Sequence, residues 1–408
     1  MKIQIKLPIL HKQLLYFEHA LRRNYSTEHG TIPHKILKRM DAWQIHEYCS
    51  EVQLTNTRTP IINSPNDVLI KVEAASVNPL DVAMSNGYGS EMIGFLRKIR
   101  TGSELPLTLG RDFSGKVISK GFSPCKSKEL QVGQQVWGVV PVHLQGSHAE
   151  TVLVPNAVVA PQPSNLNPVE ATSLMYAGVT AWSALYIFGG LLFRSIQGRR
   201  ALVLGASGGV GSIAVQLLKA ENAVVFASCS TDAIPFVQTL GADVVYNYND
   251  PDYVEIVKSN GPYDIILDAA GLGPEDYLKN NWNCNAYVTL TIPLLKNGDQ
   301  YGIFGGLLSS ATQFVLPNLK AVSQGSTIRW ALFQPLPQAI EHIGKLVSNG
   351  KLIPTVSEVY GFNDLQKAYE RVGSGHLRGK VVIDMLKQSD GLTPVKGERE
   401  ENTKEEGQ

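Results

Sequence analysis

The sequence predicts an α/β protein in which a parallel-sheet domain is inserted into a β-rich one. Three observations lead there. The chain has 408 residues, more than one ordinary hydrophobic core organises. Short alternating strands separated by turn residues run from about Ala42 to Pro163, whereas from about Ala201 apolar strands alternate with helical stretches. Near residue 335 the pattern changes back, so β-rich sequence lies on both sides of the parallel unit.

Composition narrows the function. Lys and Arg (37) nearly balance Asp and Glu (36), and nothing in that balance suggests a nucleic-acid or polyanionic partner. No apolar run approaches the ~20 residues of a membrane-spanning helix. The cysteines, Cys49, Cys125, Cys229 and Cys284, have no CxxC or CxxH spacing, which argues against a disulfide framework or thiolate zinc site and fits a reducing compartment.

In chain order, residues 1–27 set Lys2, Lys6, Lys12, Arg22 and Arg23 against the single acid Glu18, with Leu10, Leu14, Leu15, Phe17 and Leu21 interleaved. That is the make-up of a mitochondrial transit peptide, with "RRNYS" as a processing site cut after Tyr25. A frayed basic arm is the alternative. Residues 40–172 form the first part of the β-rich domain, on strands such as "DVLIKVEAAS", "FSGKVIS", "GQQVWGVV" and "HAETVLVP". Residues 173–334 form the parallel domain, with "ALVL", "AVVFAS", "DIILDAAG" and "AYVTLT" joined by right-handed crossovers. Residues 335–386 return to the β-rich domain through the helix "PQAIEHIGKLVSNGK" and the strand "GKVVIDML", and 387–408 read as a disordered tail.

The stretch "ALVLGASGGVGSIAVQLLKA" reads strand, tight turn, helix. In a dinucleotide-binding turn one glycine permits the bend, another admits the pyrophosphate, and a third lets the helix pack close to the sheet. Here Gly205, Gly208, Gly209 and Gly211 fill that stretch, with Val210 in the first helical turn and the Ser207 hydroxyl as a further donor. The helix tip offers free N–H groups and a positive dipole end. The spacing departs from Gly-x-Gly-x-x-Gly, so the context of strand, helix and second strand carries the reading. No GKS or GKT follows, which excludes a nucleoside-triphosphate loop. The second strand ends at Ser230, a neutral residue that tolerates the extra phosphate of NADPH. Asp232 fits either a helix start or a ribose contact. Arg378 and Lys380 are the candidate phosphate partners, from the C-terminal segment.

Six stretches in order, "AASVNPLDVAMSNGYG", "PLTLGRDFSGKV", "GSHAETVLV", "SLMYAGVTAWSAL", "LGASGGVG" and "LGADVVYNY", resemble the medium-chain dehydrogenase/reductase superfamily, in its zinc-free quinone oxidoreductase branch. The resemblance covers residues 42–386 and implies a GroES-like barrel plus a Rossmann doubly wound sheet. Zinc-dependent members hold their metal with a cysteine in the first stretch and a His-Glu pair in the second. Here these read "VNPLD" and "GRDFSG", so no metal is expected. His143 and His148 read as surface or hydrogen-bonded residues, and Arg111 and Asp112 as a structural pair at a domain joint.

Without a Lewis acid, acceptors that already take hydride well remain: quinones and enones. The resemblance implies that Asn78 and Asp81 lie beside the nicotinamide ring. It puts Thr180 near the carboxamide or ribose, or in ordinary helix packing. Tyr88 would bond the substrate oxygen or deliver a proton, or serve as an aromatic wall. Tyr248 would lie against the adenine or its ribose, and His376 and Arg378 would close over the cofactor. The leading expectation is an NADPH-dependent reductase of a quinone or quinone-like carbonyl in the mitochondrial matrix, with ubiquinone metabolism as a natural pathway. Alternatives are a 2-enoyl thioester reductase of mitochondrial fatty-acid synthesis and an NADPH-binding protein that mainly engages a protein partner. A homodimer joined at the nucleotide domain's sheet edge is a family habit. The segments "EMIGFLRKIR" and "LLSSATQF" are expected as loops that shape the pocket, and "EMIGFLRKIR", amphipathic and basic, reads as a solvated helix face or as a surface for a membrane-bound quinone or a protein partner.

Overall fold

The structure, a computed structural model, describes residues 39–122 and 130–387 and the two-residue strand Thr393–Pro394. The targeting segment expected over 1–27, most of the tail expected over 387–408, and Cys125 lie outside these residues.

Among the described residues, eight strands precede the parallel domain: β1 Arg39–Ile45, β2 Gln53–Arg58, β3 Asp67–Val77, β4 Leu107–Thr108, β5 Asp112–Lys120, β6 Gln135–Val139, β7 Thr151–Pro155 and β8 Val159–Pro161. The parallel domain supplies β9 Arg200–Leu204, β10 Val224–Cys229, β11 Val244–Asn247, β12 Ile265–Asp268, β13 Ala286–Thr289 and β14 Thr327–Trp330. The chain then adds β15 Val356–Gly361, β16 Lys380–Asp384 and β17 Thr393–Pro394, and β17 pairs with β15 inside the expected tail.

The β-rich domain holds a three-stranded sheet, β2-β1-β4, and an eight-stranded sheet running β17-β15-β16-β3-β5-β6-β8, with β7 on β3. The late strand β16 pairs antiparallel with β3, so the two sequence-distant parts share one sheet. The second domain is a six-stranded sheet in the order β11-β10-β9-β12-β13-β14, parallel throughout. This is the doubly wound order, whose ligand crevice opens at the carboxyl ends of the strands where the order reverses, between β9 and β12. β12 is buried along its whole length, as a strand covered on both faces must be.

Helix Pro168–Trp182 joins the domains. It starts in a capping box, in which the Glu170 amide donates to Asn167 Oδ1 (2.9 Å) and the Asn167 amide donates to Glu170 Oε2 (3.0 Å). It is apolar nearly all round and buried from Ala171 to Met175 and from Ala177 to Trp182. One apolar core therefore runs from Ile70 and Trp137 through this helix to Val203 and Leu267.

The segment "LLSSATQF" is helical, contrary to the expectation of a loop. Helix Pro293–Ser323 breaks at Gly302 (φ 69°, ψ 172°) into two arms. They fold back so closely that a Cβ on Gly306 would lie 2.5 Å from the Gly298 backbone. The second arm reaches edge strand β14, where the Asn318 side chain accepts from the Ile328 amide (2.9 Å) and donates to its carbonyl (2.9 Å). These are the outward-facing groups of that edge, one of the two edges of the sheet, so it is capped at Ile328 by its own chain. "EMIGFLRKIR" forms a turn over Ser90–Gly94 and the helix Phe95–Thr101, which agrees with a solvated helix face rather than a loop.

Candidate active site

The glycine turn follows β9. Gly205 adopts φ +74°, and a Cβ there would sit 2.9 Å from the Ala270 backbone. A Cβ on Gly211 would lie 2.1 Å from the Gly205 carbonyl oxygen, so helix Gly209–Ala220 packs against the turn only because Gly211 has none. Gly208 differs from both. Its missing side chain faces open space, with the Gly205 oxygen at 3.5 Å as the nearest atom. No side chain caps this helix, so the first-turn amides, including those of Gly209 and Val210, remain available to an anion. The turn is also fastened to the β-rich domain: the Gly379 amide donates to the Ser207 carbonyl (3.1 Å), and Gly208 forms a β-bridge with Gly379.

Beside the turn lies a cavity of about 680 Å³. Six residues singled out in the sequence line it together: Ser207, Ser230, Asp232, Tyr248, His376 and Arg378. His376 has φ +51°, a left-handed backbone uncommon for a residue other than glycine, in a loop that also turns at Gly375 and Gly379. Arg378 pairs with Asp232 at the cavity. Sequence reasoning missed Asn249, Ser357, Arg371 and Leu377 in the lining. Asn249 follows Tyr248 after β11, so its place at a strand's carboxyl end was a usable signal. Arg371 carries no motif. It donates to Glu358 Oε1 (2.6 Å) and to the Gly375 carbonyl (3.0 Å), holding the His376 loop in shape.

Lys380 is not at this cavity, contrary to expectation. It is buried, and its ammonium donates to Asn78 Oδ1. Gly379, at φ +90°, turns the backbone between Arg378 and Lys380, so the lysine enters β16 pointing into the protein. The Asn78 side chain also donates to the Ser76 hydroxyl (3.3 Å) and is 1% exposed, so it faces inward rather than toward a ligand. Arg111 and Asp112 do not pair with each other as expected. Arg111 Nε lies 3.6 Å from Asp81 Oδ1, and Asp112 accepts from the Ser76 amide (2.8 Å) and hydroxyl (2.5 Å). Successive residues at the start of β5 point to opposite sides, which separates the two. Asp81 also accepts from the amides of Gly110 (2.9 Å) and Asn78 (2.9 Å). His148 lies within 3.0 Å of the Tyr369 hydroxyl and 3.2 Å of the Ser76 carbonyl, and burial pushes its pKa down. A neutral ring donating from Nε2 to the carbonyl fits both contacts. Burial pushes the Asp112 carboxyl up and the Lys380 ammonium down.

Thr180 is buried and donates to the Tyr176 carbonyl one turn back (2.7 Å). Tyr88 is half-buried, and burial first, then the Asp299 charge, raises its phenol above the ordinary range. Among the described residues, no group of three or more His, Cys, Asp or Glu side chains is gathered as a metal site.

Residues 64–164 match the family described as alcohol dehydrogenase GroES-like domain, and residues 240–383 the family described as zinc-binding dehydrogenase. The mitochondrial NAD(P)H oxidoreductase RTN4IP1 of Drosophila melanogaster is 41% identical over 87% of this chain and 88% of its own length. The chain belongs to the medium-chain dehydrogenase/reductase superfamily. Its parallel sheet is the Rossmann-type domain of that superfamily, and its β-rich part the GroES-like one. Among solved structures, the quinone oxidoreductase from Coxiella burnetii is 28% identical, with a TM-score of 0.67, covering 85% of this chain and 99% of its own. A trans-enoyl reductase, pgmF, from Aspergillus terreus is 26% identical over 84% of this chain and 96% of its own length. In this medium-chain dehydrogenase/reductase the two stretches that carry metal ligands in zinc-dependent members present an amide, Asn78, and a guanidinium, Arg111, next to Asp112.

Proposed function

We propose that this chain is an NADPH-dependent oxidoreductase of the mitochondrial matrix that delivers hydride to a quinone or quinone-like carbonyl without a metal. One observation carries the reading: an uncapped helix tip with an open glycine face, Gly208, adjoins a cavity that presents Arg378 and His376 beside the neutral Ser230. The amides of Gly209 to Gly211, the open face of Gly208 and the Ser207 hydroxyl suit a pyrophosphate. Arg378, His376 and Ser230 suit a ribose phosphate, and Tyr248, 44% exposed, suits the face of an adenine. A bound nicotinamide would supply the hydride itself. The protein's part is to hold the reacting partners together and exclude water. Thr180 can accept a hydrogen bond at the crevice, Asn78 braces its wall through Lys380, and the Tyr88 phenol, kept protonated by burial, can donate to an acceptor oxygen. The amide and guanidinium in place of metal donors support metal-free chemistry. The basic N-terminal stretch and the mitochondrial relatives support the compartment, and ubiquinone metabolism is the natural setting.

A second reading, a 2-enoyl thioester reductase, is favoured by the same Tyr88, which could protonate the reduced carbon chain, and by the trans-enoyl reductase relative. The full chain should bind NADPH more tightly than NADH by fluorescence titration. It should oxidise NADPH with a quinone after dialysis against a chelator. Turnover with an enoyl thioester alone would move the assignment to the second reading. Tight NADPH binding without turnover on either acceptor would point to a protein that works by engaging a partner. Activity that depends on stoichiometric zinc would overturn both enzymatic readings.

A further inference from the structure

We propose that Asp299 is a positioning residue: it clasps the turn that carries Tyr88 onto the nucleotide-binding domain and so holds the phenol where the two domains meet. The inference rests on the role given to Tyr88 above.

Three donors from the β-rich domain converge on this one carboxylate. The Gly89 amide donates to Oδ2 (2.7 Å), and the Glu91 amide (3.1 Å) and the Ser90 hydroxyl (3.2 Å) donate to Oδ1. These groups begin the turn Ser90–Gly94, which has no cap from its own side chains. Asp299 therefore caps it from 210 positions away. The turn is shaped to be held. Gly87 and Gly89 adopt φ +88° and +79°, flanking Tyr88 on both sides, so the backbone around the phenol follows one tight path. Tyr88 has no hydrogen bond of its own side chain among the described residues, so no polar partner of the phenol competes with this backbone in placing it.

The other side of the clasp is equally constrained. Asp299 lies in the first arm of the helical hairpin that leaves the carboxyl end of β13, the end at which ligands bind in such sheets. A Cβ on neighbouring Gly298 would lie 3.2 Å from the Met92 side chain, so the two elements also touch through apolar atoms. The arm is pinned to its partner arm by Asn297, which donates to the Ser310 hydroxyl (3.0 Å). Asp299 thus links a braced element of one domain to the tyrosine turn of the other. With its charge close to the phenol, it also favours the protonated form that a donor needs.

The test uses the full chain and the variants Asp299→Ala, Asp299→Asn and Tyr88→Phe. Amide hydrogen exchange should show peptides over 86–94 losing protection in Asp299→Ala, while the glycine turn over 203–212 keeps it. In steady state with a quinone, Asp299→Ala should lower kcat/KM for the acceptor by about tenfold or more. NADPH affinity should stay within about twofold, and Asp299→Asn should recover part of the loss because its amide oxygen still accepts. The Asp299→Ala and Tyr88→Phe effects should be less than additive, since both act on one phenol. Unchanged exchange over 86–94, or full additivity with Tyr88→Phe, would overturn the proposal. Because exchange is read without acceptor, a wild-type chain inactive toward quinones would sink the proposed function while leaving the clasp to stand or fall on its own data.

Discussion

Lys380 donates to the amide oxygen of Asn78, joining the last core strand to the "VNPLD" turn across 302 positions of sequence. Around this contact lie two buried carboxylates, Asp81 and Asp112, and two buried cations, Arg111 and Lys380. Such a group survives burial because its signs balance and its lone pairs are bonded. It occupies the floor beneath the glycine turn: a Cβ on Gly209 would lie 2.9 Å from Lys380 Cδ.

Lys380→Met should therefore destabilise the chain by about 3–5 kcal/mol, because two carboxylates then face one cation in the core. Urea denaturation at pH 7 checks this. Lys380→Met combined with Asp112→Asn should regain a large part of the loss. A double variant no more stable than the single one would mean that packing of the lysine stem, rather than charge balance, sets the cost.

The sequence made most of the architecture legible, and the misses have physical reasons. The parallel domain was readable because its strands are apolar runs separated by helical periodicity, and the cradle because glycine density has few other causes. Ser207 and Ser230, read from the residues, and Tyr248, His376 and Arg378, read mainly from the family resemblance, line one cavity. What stayed hidden depends on contacts between distant segments. Lys380 and Arg378 are two residues apart, yet one is buried and the other exposed, and no local pattern distinguishes them. Asp299 stands in no motif, and only the fold brings Gly89 to it. The hairpin was missed because Gly302, Gly305 and Gly306 read as loop residues, whereas the pair Gly298 and Gly306 serves the close approach of two arms.

Two glycines of the turn should separate binding from folding. Gly208→Ala adds a methyl group to open space at φ −73°, so stability should change by no more than about 0.5 kcal/mol. NADPH affinity should fall by about tenfold or more, because that space is where a pyrophosphate would approach. Gly211→Ala drives a methyl group into the Gly205 carbonyl and should cost about 1–3 kcal/mol of stability as well. Thermal melts with and without NADPH read both quantities. A Gly208→Ala protein that binds NADPH like the wild type would remove the turn from the binding site.

Arg378 and Asp232 form an exposed ion pair at the cavity. A ribose phosphate would compete with Asp232 for the guanidinium. Arg378→Ala should weaken NADPH by about tenfold and NADH by less than about twofold. Asp232→Asn should tighten NADPH a few-fold by removing the internal competitor. Fluorescence titrations of both nucleotides against the two variants decide this. Equal losses for NADPH and NADH in Arg378→Ala would place the discriminating group elsewhere.

His143 should make the fold acid-sensitive. Burial pushes its pKa down to about 4, helped by the positive charges of Arg100, Arg111 and Arg97. Arg100 Nη1 lies 3.3 Å from its Nε2. An unfolded histidine titrates near 6.5, so between pH 6.5 and 4 the unfolded chain takes up a proton that the folded one refuses. Stability from this site is thus complete above pH 6.5 and drains as the pH falls toward 4. Between about pH 7 and pH 5 the loss should be about 2 kcal/mol. His143→Gln keeps a polar side chain of similar size without the titration, and its urea stability should fall less over the same interval. Parallel curves for the two proteins would show that His143 accepts its proton in the fold as readily as in the unfolded chain.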